Sequence, residues 1–266
     1  MSVIKNSLKP VQPFIQWVGG KRKIAPQLIK YLPATKLNDY YEPFLGGGAL
    51  FFQIKHMFKK CYLSDINLDL IISYNAIKRD PGQVGKLLRD HIQNHCRNYY
   101  YQIRGVNNSN NPDVISARFL YLNRYAFKGI YRVNKNGSPD LTFSTRSRAE
   151  SGLEEKLQQC SCALRDALIY AGDFSFIDPE KDDFVYFDPP YHQAGERFYT
   201  RLPFDESDQT RLRDFVEKLD KKGVRFMLSS SDTEFIRNLY QGFNINTTQV
   251  NYSLSSSKQE LVITNY

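Results

Sequence analysis

The segment FVYFDPPY at 184–191 runs from an apolar stretch into one carboxylate, two prolines and an aromatic ring. Each pyrrolidine ring fixes its own φ, and Pro190 also restricts Pro189, so the chain is stiff where it leaves the apolar stretch. Asp188 supplies an acceptor carboxylate, Pro189 and Pro190 supply carbonyls with no N–H to compete for them, and Tyr191 supplies a stacking face. An exocyclic NH₂ on a flat base calls for that set: acceptors for its protons and an aromatic plane against its ring. Three other groups follow short apolar runs: Glu42, Pro43, Phe44, Gly46 and Gly48 in EPFLGGG, Asp65 in CYLSD, and Asp173 in GDF. An acidic residue about 20 positions beyond a glycine turn commonly takes ribose hydroxyls. Asp65 stands at such a position, which points to a nucleoside-bearing cofactor.

The glycines fit neither common phosphate-binding pattern. Gly46-x-Gly48 leads into Ala49, Leu50 and Phe51, so Phe occupies the place of the third glycine of a dinucleotide turn. Gly20-Lys21 lacks the first glycine of a P-loop, where Ile15 stands, and Arg22 replaces the hydroxyl residue that binds magnesium.

Strands must carry these groups to one edge. Residues 40–45 and 61–64 are predicted strands, each followed by a helix, at 49–57 and 67–78, and this alternation makes a parallel sheet the default. Ile24, Leu28, Ile29 and Leu32 form an earlier helical stripe that Pro33 closes. The pattern returns with strands at 168–171, 184–187, 224–228 and 259–264, and with a helix marked by Leu212, Phe215, Val216 and Leu219. Ser207 or Asp208 is the expected cap of that helix. In an open parallel sheet ligands collect at the carboxyl ends of strands, where all four groups fall.

The intervening chain differs. Residues 83–125 read as mostly helical, with a polar loop at 107–112. Residues 126–148 are turn-rich and centred on Asn134-Lys135-Asn136-Gly137, a hairpin signal. Arg124, Lys128, Arg132, Lys135, Arg146 and Arg148 are opposed there only by Asp140 and interleave with Phe127, Tyr131 and Phe143. Such a segment is either a solvated loop or a nucleic-acid contact. The expected organisation is one α/β domain in two parts, 1–79 and 166–266, split by an insert at 80–165 that carries a basic hairpin at about 126–148.

Composition sets outer bounds. The 266 residues carry 36 Lys+Arg against 28 Asp+Glu, a net charge of +8, which favours a polyanionic partner. The 18 Tyr, 18 Phe and one Trp are a rich supply of rings for core and for base stacking. No run approaches the ~20 apolar residues of a membrane span, and the N-terminus lacks a signal-peptide core, so an intracellular soluble protein is expected. Cys61, Cys96, Cys160 and Cys162 form no C-x-x-C pair, and reduced thiols are expected rather than a zinc site.

Taken in order, FIQWVGGK at 14–21, YEPFLGGGALFF at 41–52, LSDINLDL at 63–70, LYLNRYAFKGIYRVN at 120–134, GDF at 172–174 and DPPY at 188–191 resemble the Dam-type DNA adenine-N6 methyltransferases. The likeness spans nearly the whole chain, in the motif order of the α group of amino-methyltransferases. It implies a Rossmann-like S-adenosylmethionine-dependent methyltransferase fold with a mostly helical DNA-recognition insert. It implies a site-specific adenine methyltransferase acting on double-stranded DNA at GATC or a GATC-related site. S-adenosylmethionine would be the cofactor and S-adenosylhomocysteine its product, with no metal. The methyl group would pass in line to N6 of a flipped adenine, without a covalent enzyme intermediate. A monomer is expected, in the cytoplasm at a bacterial nucleoid or as a phage product, with a cognate restriction endonuclease as a further partner and no membrane.

The resemblance also distributes roles. Trp17, Lys21, Glu42, Pro43, Phe44, Gly46, Gly48, Asp65, Ile66, Asp173, Phe174 and Asp188 match cofactor-side positions. Asp188, Pro189, Pro190 and Tyr191 match the catalytic loop. Gln16, Arg124, Phe127, Lys128, Ile130, Arg132, Asn134 and Lys135 match the DNA side, with Phe127 as a wedge and Ile130 and Arg132 as base readers. An Arg can take guanine O6 and N7, and an aliphatic side chain can touch a thymine methyl. Gln16 stands where GATC-reading members commonly carry Lys, and Lys128 replaces an Asn, which leaves the outer base pair open. Three other readings compete: an RNA adenine methyltransferase, a DNA-binding protein without activity, and a nicotinamide-dependent oxidoreductase. Asp188, Phe51 and the insert oppose them.

Overall fold

The computed structural model describes residues 11–17, 19–106, 109–127, 131–134, 139–145, 151–193, 203–250 and 258–266. Seven strands form one mixed sheet: β1 (Tyr40–Glu42), β2 (Cys61–Asp65), β3 (Ala167–Ala171), β4 (Phe184–Phe187), β5 (Arg225–Ser231), β6 (Asn244–Val250) and β7 (Lys258–Thr264), in the order β3-β2-β1-β4-β5-β7-β6. β1 and β4 lie at its centre, and every residue of both is buried. Strands covered on both faces read as apolar runs rather than as an alternating pattern, which is why FVYF stands out in the sequence.

β1 to β5 pair in parallel, as expected. β7 departs from that default. It runs antiparallel between β5 and β6. β6, with its sequence NINTTQV, was not predicted as a strand at all, nor was the short helix α9 (Glu234–Leu239). Polar β6 closes the sheet at its edge, where one flank needs no apolar cover.

Nine helices are described. α1 (Ala25–Leu28) and α2 (Phe51–Ile54) are single turns flanked by 3-10 turns, shorter than their periodicity implies. α3 (Leu68–Arg79) is capped by Asn67, whose side chain accepts from the Leu70 N–H. α4 (Pro81–Gln93), α5 (Arg97–Gly105), α6 (Pro112–Tyr125) and α7 (Leu153–Leu164) all intervene between α3 and β3. α4 and α6 start at Asp-Pro and Asn-Pro steps, where the polar residue caps and the proline needs no N–H partner. α6 and α7 pack on α3, and α6 also packs on α4. α8 (Glu206–Lys221) is capped by Asp205, not by Ser207 or Asp208. The Asp205 carboxylate accepts from the N–H groups of both those residues, which makes them N2 and N3.

Among the described residues of the basic segment, the two arms meet in antiparallel bridges, Ala126 with Phe143 and Val133 with Pro139. Lys128, Ile130 and Lys135 lie outside the described residues, and of the expected turn at 134–137 only Asn134 lies within them. The described helices include none long and apolar enough to cross a membrane.

Candidate active site

In the sheet order, β1 continues to β2 on one side while β4 lies on the other. Such a reversal opens a crevice beyond the carboxyl ends of the two strands. The turn after β1 holds Glu42 to Gly48, and the loop after β4 holds Asp188 to Tyr191. The two motifs are adjacent because their strands are adjacent.

Lys21 joins them. Its ammonium lies 2.7 Å from Asp188 Oδ1, donates to the Gly19 carbonyl at 2.8 Å, sits 3.9 Å from Glu260 Oε2 and stands 4.5 Å from the centre of the Tyr191 ring. Only 4% of the Lys21 side chain is exposed. Tyr191 donates its hydroxyl to Glu260 Oε2 at 2.9 Å. Burial, with Asp188 and Glu260 beside it, pushes the Tyr191 phenol well above its ordinary value, so it stays a donor. Burial raises Asp188 to about 6, against the lowering effect of Lys21.

The DPPY loop is braced from several elements. Buried Gln209 on α8 donates to the Pro190 carbonyl at 2.8 Å. His192 bonds Thr233 and Glu206, and Ser231 donates to the His192 carbonyl. The Pro189 carbonyl therefore leaves β4 in a chain held on both sides.

The EPFLGGG turn is shaped around Trp17. Gly46 and Gly48 have φ of +45° and +62°, a region that side chains other than glycine avoid. A Cβ at Gly46 would come within 2.7 Å of Trp17 Cδ1, and one at Gly48 within 2.9 Å of the Tyr74 hydroxyl. Asp65 at the end of β2 pins the turn, since Oδ2 accepts from Gly46 N and Oδ1 from Asn67 N, each at 2.9 Å. Burial raises Asp65 to about 6. Glu42 is buried against the Tyr40 hydroxyl at 2.8 Å and is pushed up to about 8, mainly by burial. Pro43 is buried and Ile66 is 60% exposed.

The remaining cofactor-side candidates gather one strand further out. Phe44 stacks on Phe174 with ring centres 5.4 Å apart, and Phe174 is only 2% exposed. Arg211 clamps both Asp173 oxygens at 2.6 and 3.0 Å and lies over the Phe174 ring. Burial works against ionising Asp173, but Arg211 and Ser175 outweigh it and hold the carboxyl at about 2. Of the DNA-side candidates, Phe127 is 52% exposed, while Gln16, Arg132 and Asn134 are exposed. Arg124 lies beside the Tyr125 ring, and Arg132 pairs with Asp140 through Nε to its carbonyl at 2.7 Å and Nη2 to Oδ2 at 3.1 Å.

Glu260 went unread in the sequence, although a carboxylate directly before the apolar run LVIT is the kind of signal that exposes such a residue. Gln209 carried no signal, because only the tertiary fold brings α8 to the DPPY loop. The surface depressions of about 500 Å³ beside Arg213 and Phe243 and about 350 Å³ beside Gln27 and Thr248 share no residue with these strand ends.

The carboxyl set suits a cationic ligand. Glu42, Asp65, Asp188 and Glu260 are gathered at the carboxyl ends and the crossing β7, with Lys21 as the buried ammonium among them. This surplus of desolvated carboxyl groups favours a ligand that brings positive charge.

The D12 class N6 adenine-specific DNA methyltransferase family matches residues 17–254. The chain is 36% identical over 259 residues to the type II methyltransferase M.MjaIII of Methanocaldococcus jannaschii, covering 88% of this chain and 90% of that one. It is 35% identical over 285 residues to the type II methyltransferase M1.LlaDCHI of Lactococcus lactis subsp. cremoris, covering 100% and 99%. It is 30% identical over 259 residues to the DNA adenine methylase of Escherichia coli K12, covering 94% and 91%. A methyl donor of the S-adenosylmethionine type and a DNA substrate follow from this membership. With its motifs set on a Rossmann-like sheet and matched along nearly its whole length, the chain belongs to the D12 class of N6 adenine-specific DNA methyltransferases.

Proposed function

We propose that the chain methylates N6 of a flipped adenine in duplex DNA, at GATC or a GATC-related site, by direct in-line transfer from S-adenosylmethionine and as a monomer. The observation that carries this reading is the Lys21–Asp188–Tyr191–Glu260 cluster, set beside the glycine turn at adjacent strand ends. When bound, the donor supplies a methyl group already activated on a sulfonium. The protein's work is then to present the acceptor nitrogen.

Asp188 and the Pro189 carbonyl accept from the two N6 protons, and this pulls the amino group toward a pyramidal form with a localised lone pair. Tyr191 stacks on the target ring and is held at its hydroxyl by Glu260. Lys21 keeps Asp188 ionised and fixes its orientation. Trp17, Glu42, the turn at Gly46 and Gly48, and Asp65 would hold the donor, with Phe44, Ile66, Asp173 and Phe174 toward its adenine. The Asp65 carboxylate accepts from the Gly46 and Asn67 N–H groups, with the Ile66 N–H beside it, and retains acceptor capacity for a ribose hydroxyl.

Residues 80–165 form the target-recognition insert on this reading. Exposed Phe127 is the wedge that offsets part of the cost of flipping, and Arg132 reads guanine. The Arg132–Asp140 pair is solvent-exposed, so exchanging it for a base edge costs little. Gln16 leaves the outer base pair to experiment. The type II names of two relatives favour a cognate restriction endonuclease, and DNA as substrate favours the cytoplasm.

Sequencing of modified bases in DNA from cells expressing the chain, beside cells expressing Asp188→Ala, tests the reading. N6-methyladenine at one short motif, absent from the variant, is expected. Methylation at cytosine, or none in DNA, overturns it.

A further inference from the structure

Tyr131 lies between two residues assigned to base reading, Ile130 and Arg132, yet it is only 4% exposed. Its ring stacks on Trp17, with centres 5.6 Å apart and planes 22° apart. Its hydroxyl is hydrogen-bonded to the Asn67 side chain. Both partners belong to the donor side. Trp17 fills the space over Gly46, where a Cβ would stand 2.7 Å from its ring. The Asn67 N–H is held by Asp65 Oδ1, and Asp65 Oδ2 holds the Gly46 N–H. The contacts therefore close a ring: Tyr131, Trp17, Gly46, Asp65, Asn67 and back to Tyr131.

A second contact spans the same gap. Asn123, near the end of α6 and 2% exposed, donates to the Gln16 carbonyl at 2.9 Å, and Phe119 on the same helix lies 6.3 Å from Trp17. The segment before Trp17 is thus fastened to the insert as well as to the glycine turn.

We infer that Tyr131 couples the two substrates: a duplex engaged by the base-reading arm and a donor engaged at the Gly46 turn each tighten the other through the Tyr131–Trp17 stack. This rests on the proposed positions of the donor and of the DNA. The physical basis is that the arm and the turn share buried contacts and cannot shift independently. A ligand that orders one prepares the other, and the effect is reciprocal in binding free energy. Tyr131 is a positioning residue here. It need touch neither the donor nor a base.

The chain has one tryptophan, Trp17, so emission excited at its own wavelength reports the joint directly. The experiment measures S-adenosylhomocysteine affinity with and without a saturating duplex that carries the mapped target site. The wild type, Tyr131→Phe and Tyr131→Leu are compared. In the wild type, duplex tightens S-adenosylhomocysteine at least about fivefold, and duplex alone changes Trp17 emission. Tyr131→Phe keeps the stack and retains most of both effects. Tyr131→Leu loses the stack, its ratio falls to within about twofold of one, and its duplex-induced emission change disappears.

An unchanged ratio in a folded Tyr131→Leu variant overturns the inference. If that variant does not fold, Tyr131→Met, which fills the site without a ring, takes its place, and an unchanged ratio there overturns the inference equally. Equal affinity with and without duplex in the wild type overturns the coupling alone. A wild type that binds no S-adenosylhomocysteine at all overturns the donor assignment instead.

Discussion

Replacing Lys21 by methionine keeps the buried stem and removes the charge that Asp188 faces. At 2.7 Å, with an effective dielectric of about 20, the direct attraction is roughly 6 kcal/mol before desolvation is counted. The Asp188 side chain keeps 18% of its surface in contact with solvent, and screening returns part of that loss. A net effect of about 2 kcal/mol would carry Asp188 from about 6 to about 7.5. Only the ionised carboxylate accepts strongly from an amino proton, so the acid limb of kcat/KM, which reports the free enzyme, should move upward with it. Single-turnover methyl transfer measured from pH 5.5 to 9 should show the variant roughly eightfold slower near pH 6.5, with the deficit shrinking above pH 8. The stability of the variant should run the other way. A carboxyl group with a raised value in the folded state stabilises the fold while it is protonated, so thermal stability should improve as pH falls toward 5.5. A rate profile of wild-type shape, merely scaled down, would refute the claim that Lys21 acts through Asp188.

Three more outcomes follow from the same geometry. Glu260→Leu leaves the Tyr191 hydroxyl without its acceptor and should cost about 1–3 kcal/mol in thermal or denaturant unfolding, whereas Glu260→Gln retains an acceptor and most of the stability. Equal losses in the two variants would show that the hydrogen bond is unimportant. Donor binding should depend on pH with a known sign. Glu42 at about 8, with Asp65 and Asp188 at about 6, all lie above the ordinary carboxylate value, so the free protein holds protons that a cation must displace. Calorimetric affinity for S-adenosylmethionine should therefore rise about tenfold or more from pH 6 to 8, and that for S-adenosylhomocysteine, which lacks the sulfonium charge, should rise less; parallel curves contradict this. Arg132→Ala should lose about 1–3 kcal/mol on the correct site and relax choice at one base pair, read from binding across singly substituted duplexes. Uniform weakening on every duplex would make Arg132 a phosphate contact.

The chemistry-bearing loops were legible because local stereochemistry writes them. Asp-Pro-Pro-Tyr after an apolar run and a glycine turn after another are short-range patterns, and burial of central parallel strands on both faces makes those runs visible. The helix expected at 67–78 matches α3 within a residue, whereas the stretch read as mostly helical at 83–125 divides into α4, α5 and α6, each begun by a cap, Asp80, Cys96 and Asn111, that only the structure identifies. β6 could not be placed, because a polar edge strand has no such pattern and exists only through its ladder with β7. Nor could α8 be given its true cap, since Asp205, Ser207 and Asp208 are equally plausible until the backbone turns.

The sequence by itself thus determined which residue types stand at strand ends: the carboxylates, the prolines, the glycines of the turn and the basic arm. The tertiary structure alone decided which of them meet. Lys21 reaches Asp188 across 167 positions, and Glu260 arrives from a strand inserted against the parallel direction between β5 and β6. Tyr131, beyond the end of α6, closes on Trp17. Such meetings depend on strand order and helix packing summed over the whole chain. Local sequence carries no record of them, because spacing governs only residues within a few turns of each other.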